Sequence, residues 1–416
     1  MTSPRISLLF CLTLLLAGCA GASTHKPVPE MTVQEAVVKG YGPNIRYLGD
    51  EAPADLAHII QRRIGQYQAA HADYFKTHGK YPAMNYLALS GGGDNGAFGA
   101  GLLHGWSAAG TRPDFTIVTG VSTGALIAPF AFLGRDYDPQ LKESYTTMSS
   151  ENIFLGSAST FLDGLTGGMA LTDNTPLEKM IEKNVTPEMF RQIAEEHRKG
   201  RRLLIGTTNL EMQRSVIWDI GTLANSANPD AIKLFRQILL ASSAIPGAFK
   251  PVFFDVTAAG KTYSEIHVDG GVTAQVFLYP LQTVADEKTL FEKAGIPRNL
   301  YIIRNAKIVP EYQTMTPRLM DLSQRSIETL IKNQGIGDLY KLYAGGQRDG
   351  INYNMIYIPQ DFTETPKEMF DRDYMSKLFY YGEAMAKKEI PWQHTPPSYA
   401  LVEQGIAPPT AVVPAQ

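Results

Sequence analysis

The sequence predicts an α/β fold, with one central, mostly parallel sheet between layers of helix. Three observations predict it. Short apolar runs of strand type alternate with helical patterns along most of the chain. Two of those runs end in glycine-rich turns that lead straight into apolar helices. The composition is that of a globular protein, 44% hydrophobic and 19% charged over 416 residues. Strand–turn–helix units in series give parallel strands covered on both faces.

The elements follow in chain order. Leu56, Ile59, Ile60, Ile64 and Tyr67 have helical spacing within residues 54–74. Tyr86-Leu87-Ala88-Leu89 is a strand that runs into Ser90-Gly91-Gly92-Gly93, and residues 97–108 continue as a tightly packed helix. Phe115-Thr116-Ile117-Val118 repeats the pattern. It leads through Gly120-Val121-Ser122-Thr123-Gly124 into a helix over residues 125–132. Further strands are expected at 202–206, 215–219, 265–269, 300–304 and 355–358, and helices at 176–184, 187–198, 229–242 and 322–333. Residues 391–416, rich in Pro and Ala, lack either period and are expected to be a disordered tail.

The start of the chain is expected to be removed. Arg5 precedes a mostly apolar run, residues 6–17, too short to span a bilayer, which needs about 20 residues. The run ends Leu16-Ala17-Gly18-Cys19, which resembles the lipobox of bacterial lipoproteins. That resemblance implies cleavage before Cys19 and acylation of the new N-terminus, a multi-chain anchor that holds stably. Ala20, where an Asp would signal inner-membrane retention in that family, implies the outer membrane. The other reading is a soluble secreted chain with an incidental cysteine. Cys11 and Cys19 are the only cysteines, and Cys11 would leave with the signal, so no disulfide is expected. The implied order is a signal at 1–18, a tether and lead-in at 19–53 and a helical segment at 54–82. A catalytic domain at 83–285, its C-terminal continuation at 286–390 and the tail then follow. The net charge of −3, from 38 basic and 41 acidic residues, gives no electrostatic reason to expect nucleic acid.

Three motifs carry chemistry. Gly120-x-Ser122-x-Gly124 matches the nucleophile-elbow pattern. There a serine is held clear of the sheet on a sharp strand-to-helix turn, and the next helix aims N–H groups and a positive dipole end at the same point. Gly91, Gly92, Gly93, Asn95 and Gly96 form a second glycine-rich turn, whose converging N–H groups suit an oxyanion. Asp269-Gly270-Gly271 ends a third strand with an acid in an exposed turn. The second turn has rivals. It may be read as a plain packing turn, or Gly91, Gly93 and Gly96 as a dinucleotide-binding G-x-G-x-x-G with Asp114 downstream. Asp114 precedes the second strand instead of ending it, and Ser122 then has no role.

In this order the motifs resemble those of the patatin-like phospholipase family. Residues 241–249, Ala-Ser-Ser-Ala-Ile-Pro-Gly-Ala-Phe, are similar to a further block of that family, and Thr208-Asn209 fits its middle strand end. The resemblance covers residues 86–279, with a weaker continuation to 358. It implies a three-layer α/β/α sandwich and a Ser122–Asp269 dyad in which the acid takes or orients the serine proton. One departure stands out: many relatives carry Arg or Lys where this chain has Asn95.

The histidines fit the dyad. A Ser-His-Asp triad of hydrolase order needs a histidine after the acid, and only His394 follows Asp269. His267 and His104 read as structural. No His/Asp/Glu cluster has metal-ligand spacing, and no cofactor is expected. The apolar, glycine-rich residues 153–171 read equally as a lid or as a surface loop. The expected function is hydrolysis of lipid carboxylic esters. The alternatives are a general esterase or thioesterase, or a weakly active envelope protein that binds lipid or a partner.

Overall fold

In the computed structural model the described residues are 25–52, 56–149, 173–278 and 287–399. The expected signal, Cys19, the segment 153–171 and residues 400–416 lie outside them. The chain forms two units, and the smaller comprises, among the described residues, 25–39 and 253–265. Within it β1 (Val37–Val38) pairs antiparallel with β7 (Val252–Ala258), placing Val37 opposite Thr257.

The larger unit holds the sheet that matters for chemistry. Its strands are β2 (Arg46–Leu48), β3 (Met84–Leu89), β4 (Ile117–Val121), β5 (Arg202–Asn209), β6 (Arg214–Asp219), β9 (Arg298–Arg304) and β10 (Asn352–Tyr357). The last residues of β8 (Lys261–Asp269) join them. The order is β2-β6-β5-β4-β3-β9-β10. From β5 to β10 every neighbouring pair is parallel, whereas β6 and β8 run antiparallel to β5. β3 is apolar at nearly every position because both of its faces are covered. On one face Met84, Tyr86 and Ala88 meet Ile60, Ile64 and Tyr67 of α1 (Leu56–Ala70), together with Leu339 and Leu342. α2 (Ala72–His78) follows α1.

On the other face lie α3 (Gly96–Ala108) and α4 (Thr123–Leu133), each starting where a sheet strand ends. α5 (Asp138–Thr147), α6 (Thr175–Asn184), α7 (Pro187–Arg198), α8 (Ile220–Ala224) and α9 (Ala231–Ser242) precede β7. α10 (Glu287–Ala294), α11 (Leu319–Asp349) and α12 (Arg372–Lys388) complete the unit. The sequence pattern does not call for α12, which packs directly on α3. A Cβ on Gly101 would collide with the Phe379 carbonyl, so only glycine permits this crossing.

Two expectations are corrected, and the lead-in contributes a strand: β2 pairs with β6, Tyr47 opposite Ile217. The helix expected at 322–333 runs on to Asp349: Gly335 and Gly346 are tolerated within it, and the first lies against the Arg304 guanidinium. The tail does not start at 391. Trp392 packs 5.2 Å from Trp106 and 5.1 Å from Tyr301, and Gln393 bridges to Met355 on edge strand β10. Aromatic burial and an open strand edge hold a segment that has no period of its own.

Candidate active site

β5 brings the candidate nucleophile and acid together. β6 occupies one of its edges over residues 204–209, leaving the other to β4 and β8. β4 covers that edge up to Val121 opposite Gly206. β8 arrives from the opposite direction and ends with Asp269 opposite Thr207. The two strand ends therefore meet head to head at adjacent β5 residues, with Ser122 and Asp269 at the junction.

Ser122 sits on a forced turn. Its φ of 55° and ψ of −126° lie where L-residues are strained, of order 1–3 kcal/mol. The turn holds because its neighbours fix it. The Ser122 N–H donates to Ser242 Oγ at 3.0 Å, and that hydroxyl donates to the Gly206 carbonyl at 2.7 Å. The Ser122 carbonyl accepts from the N–H groups of Ala125 and Leu126 in the first turn of α4. A Cβ on Gly124 would collide with the Leu89 carbonyl, so α4 can approach β3 only with glycine there.

Asp269 is buried, 5% exposed. Its N–H donates to the Ala244 carbonyl at 2.9 Å, and its Oδ1 accepts from the Gly271 N–H at 2.7 Å. Residues 241–249 thus buttress both members of the pair, through Ser242 and through Ala244. Burial raises the Asp269 carboxyl to about 6, against the lowering pull of the Ser122 hydroxyl and the Gly271 N–H. Oδ2 is buried without a hydrogen bond of good geometry. The Ser122 hydroxyl is therefore within electrostatic reach but not aligned, a looseness common in empty active sites.

The glycine-rich turn is held from below. Asn305, fully buried at the end of β9, donates its N–H to Ser90 Oγ and its Nδ2 to the Ser90 carbonyl, at 2.8 and 2.9 Å. Its Oδ1 accepts the Gly99 N–H at 3.1 Å. The five turn residues are not equivalent. The N–H of Gly91 is taken by the Gln275 carbonyl, and that of Asn95 by the Gly92 carbonyl. Gly96 packs against Thr123. Among the described residues the N–H groups of Gly92 and Gly93 have no acceptor, and Gly93 faces the same cavity as Ser122. Asn95 Oδ1 accepts from the Tyr374 hydroxyl of α12.

One apolar cavity adjoins Ser122 and a second neighbours it. The first is walled by Ser122, Gly93, Leu177, Phe249 and Phe370. The second is walled by Pro129, Ile181, Met189 and Leu239. Leu126, Tyr145 and Met148 line both. Tyr145 is fixed by Thr123, its hydroxyl 2.7 Å from Thr123 Oγ1.

The histidines are occupied elsewhere. His267 is buried with Nδ1 2.9 Å from Thr207 Oγ1 and its ring 5.8 Å from that of Trp218. His104 sits 2.9 Å from Glu383, and His394 Nδ1 lies 3.1 Å from the Tyr353 carbonyl. Among the described residues no group of three His, Cys, Asp or Glu could hold a metal. Asp114 is exposed before β4, at the opposite end of the sheet from the glycine turn, which removes the dinucleotide reading. Sequence reasoning missed Gln275, Arg304, Asn305 and Tyr374. Arg304-Asn305 at the end of an expected strand was the one available signal.

The sequence model of the patatin-like phospholipase family matches residues 87–281. The chain carries a patatin-like domain. Among solved structures it resembles VipD from Legionella pneumophila, at 13% identity and TM-score 0.31, over 74% of this chain and 67% of that one. It also resembles human GIVD cytosolic phospholipase A2, at 10% identity and TM-score 0.32, over 78% of this chain and 57% of that one. The type III effector protein ExoU is similar at 13% identity and TM-score 0.28, over 74% and 54%. The chain thus spans little more than half the length of the last two, and likenesses this loose carry no weight beyond the family match. No curated protein sequence matches. The matched segment of the patatin-like domain contains Ser122, Asp269, the glycine turn and Gln275, whereas Arg304, Asn305 and Tyr374 come from beyond it.

Proposed function

We propose that this patatin-like protein is a serine acyl hydrolase that cleaves carboxylic esters of phospholipids or lysophospholipids through a Ser122–Asp269 dyad. The observation that carries the reading is the head-to-head arrival of β4 and β8 on one edge of β5, beside an apolar cavity that opens on Ser122. Ser122 Oγ attacks the ester carbonyl carbon and its proton passes to Asp269. The carbonyl oxygen becomes an oxyanion, met by the N–H groups of Gly92 and Gly93 and the first turn of α4. The carbon–oxygen bond to the alcohol breaks, and Asp269 returns the proton to the leaving oxygen. Water, deprotonated by Asp269, then releases the fatty acid from Ser122.

The paired cavities support a lipid acyl chain as the substituent, because their walls are almost wholly apolar. Anchoring through lipidated Cys19 in the outer membrane belongs to the same proposal. It rests on the lipobox resemblance, and among the described residues no helix is long and apolar enough to cross a membrane.

Turnover of p-nitrophenyl esters and of phospholipid vesicles, with fluorophosphonate labelling, tests the reading. Wild type should hydrolyse phospholipid, and Ser122→Ala and Asp269→Asn should each lose at least about a thousandfold. Undiminished turnover in either variant rejects the dyad. Activity confined to short esters makes the protein a general esterase, and failure to label Ser122 makes it a binding protein.

A further inference from the structure

Gln275 spends every polar group it has on the site's two loops and their support. Its carbonyl accepts the Gly91 N–H at 3.0 Å, and its Nε2 donates to the Gly271 carbonyl at 2.8 Å. Its own N–H donates to Asp338 Oδ2 at 2.8 Å, and its Oε1 accepts from Arg304 Nη1 at 3.3 Å. It is 4% exposed, as is Arg304. One residue thus joins the turn before the nucleophile, through its backbone carbonyl, to the turn after the acid, through its side chain.

The arrangement lies directly behind the reacting serine. Gln275 Oε1 and Ser122 Cβ each lie 3.3 Å from the point a Cβ on Gly91 would occupy. Arg304 ends β9, next to the strand that leads into the glycine turn, where Leu89 pairs with Ile303. Asp338 shares its negative charge with Lys341, at 3.0 Å. Arg304 and Asp338, 4% and 3% exposed, offset each other on the buried side of the loop, and Lys341, its side chain 63% exposed, reaches solvent. Asn95, where many relatives place a cation, is neutral, and its Oδ1 is held by Tyr374.

We propose that Gln275 is a positioning residue that locks the oxyanion turn to the acid turn, and that buried Arg304 holds the Gln275 amide in place. This rests on the hydrolase reading above. N–H groups held ready for an oxyanion act on the transition state more than on bound ester, because the negative charge exists only there. Loss of the strut therefore lowers kcat and leaves KM nearly alone.

The test uses full-length protein, long-chain p-nitrophenyl ester turnover, fluorophosphonate labelling rate and far-UV circular dichroism. Gln275→Met removes both side-chain bonds at similar volume, and Arg304→Met removes the charge. Each should cut kcat about 10- to 100-fold with KM within about threefold, and Arg304→Lys should recover at least a few-fold over Arg304→Met. The double variant should lose little more than either single, since the two act as one unit. Gln275→Asn, too short to reach the Gly271 carbonyl, should behave like Gln275→Met and decides the matter if a methionine variant does not fold. A folded Gln275 variant with kcat within about threefold of wild type overturns the strut. So does Arg304→Lys no better than Arg304→Met, which would reduce Arg304 to packing. Wild type that neither turns over ester nor labels would overturn the strut and the hydrolase reading together. Active wild type with unimpaired variants overturns the strut alone.

Discussion

Asp269 sets the pH behaviour of the site. Only its ionised form can take a proton from Ser122, and its pKa stands at about 6. Ester turnover should therefore rise with pH through about 6 and level off above it, which a kcat/KM profile from pH 4.5 to 8.5 will check. Stability runs the other way. The folded pKa is raised above the unfolded value near 4, so the fold prefers the protonated acid. That preference is fully present below about pH 4 and is lost as pH rises through about 6. A shift of this size corresponds to about 3 kcal/mol. Asp269→Asn should thus stabilise the protein at pH 8, by up to about that amount, and do little at pH 4, while losing activity. Urea denaturation at the two pH values measures it. The turn positions of Ser122 and Asp269 were legible because glycine patterns mark forced turns. The contacts of Gln275 and Asn305 were not, since amides carry no periodic or motif signal and act only once distant turns are adjacent.

Single elements explain what the sequence left unread. The first two strand–turn–helix units were visible because β3 and β4 are continuous apolar runs that end in glycine. α12 was not, because its pattern matches a partner, α3, far away in sequence. Gly101→Val should push α12 off the Phe379 carbonyl and destabilise by about 1–3 kcal/mol, seen as a large drop in thermal midpoint. The move also loosens Tyr374 from Asn95. The cavity walls make a second prediction at this scale. Leu126 and Met148 line both cavities, so Met148→Trp should block the second one. Preference among p-nitrophenyl esters should then move to shorter chains, with turnover of the shortest ester within a few-fold of wild type. An unchanged chain-length profile would show that acyl chains do not enter there.

Across the whole molecule, the sheet order could not be read from sequence. The crossing of β5 by β4 and β8 on one edge depends on pairings between residues far apart, and only register reveals it. The proposed anchor is separable from this architecture, since the candidate site is built from residues 90–305, 338, 370 and 374. Cys19→Ser should move the protein from the membrane to the soluble fraction while fluorophosphonate labelling of Ser122 persists. Order along the chain has one further effect. The nucleophile comes early, the acid late, and Arg304 and Asn305 later still. A chain emerging N-terminus first carries an elbow serine long before β8 and β9 can close on it. Fragments cut short of residue 269 would hold the serine and lack its proposed partner, so on the mechanism proposed above the nucleophile stays idle until β8 has emerged.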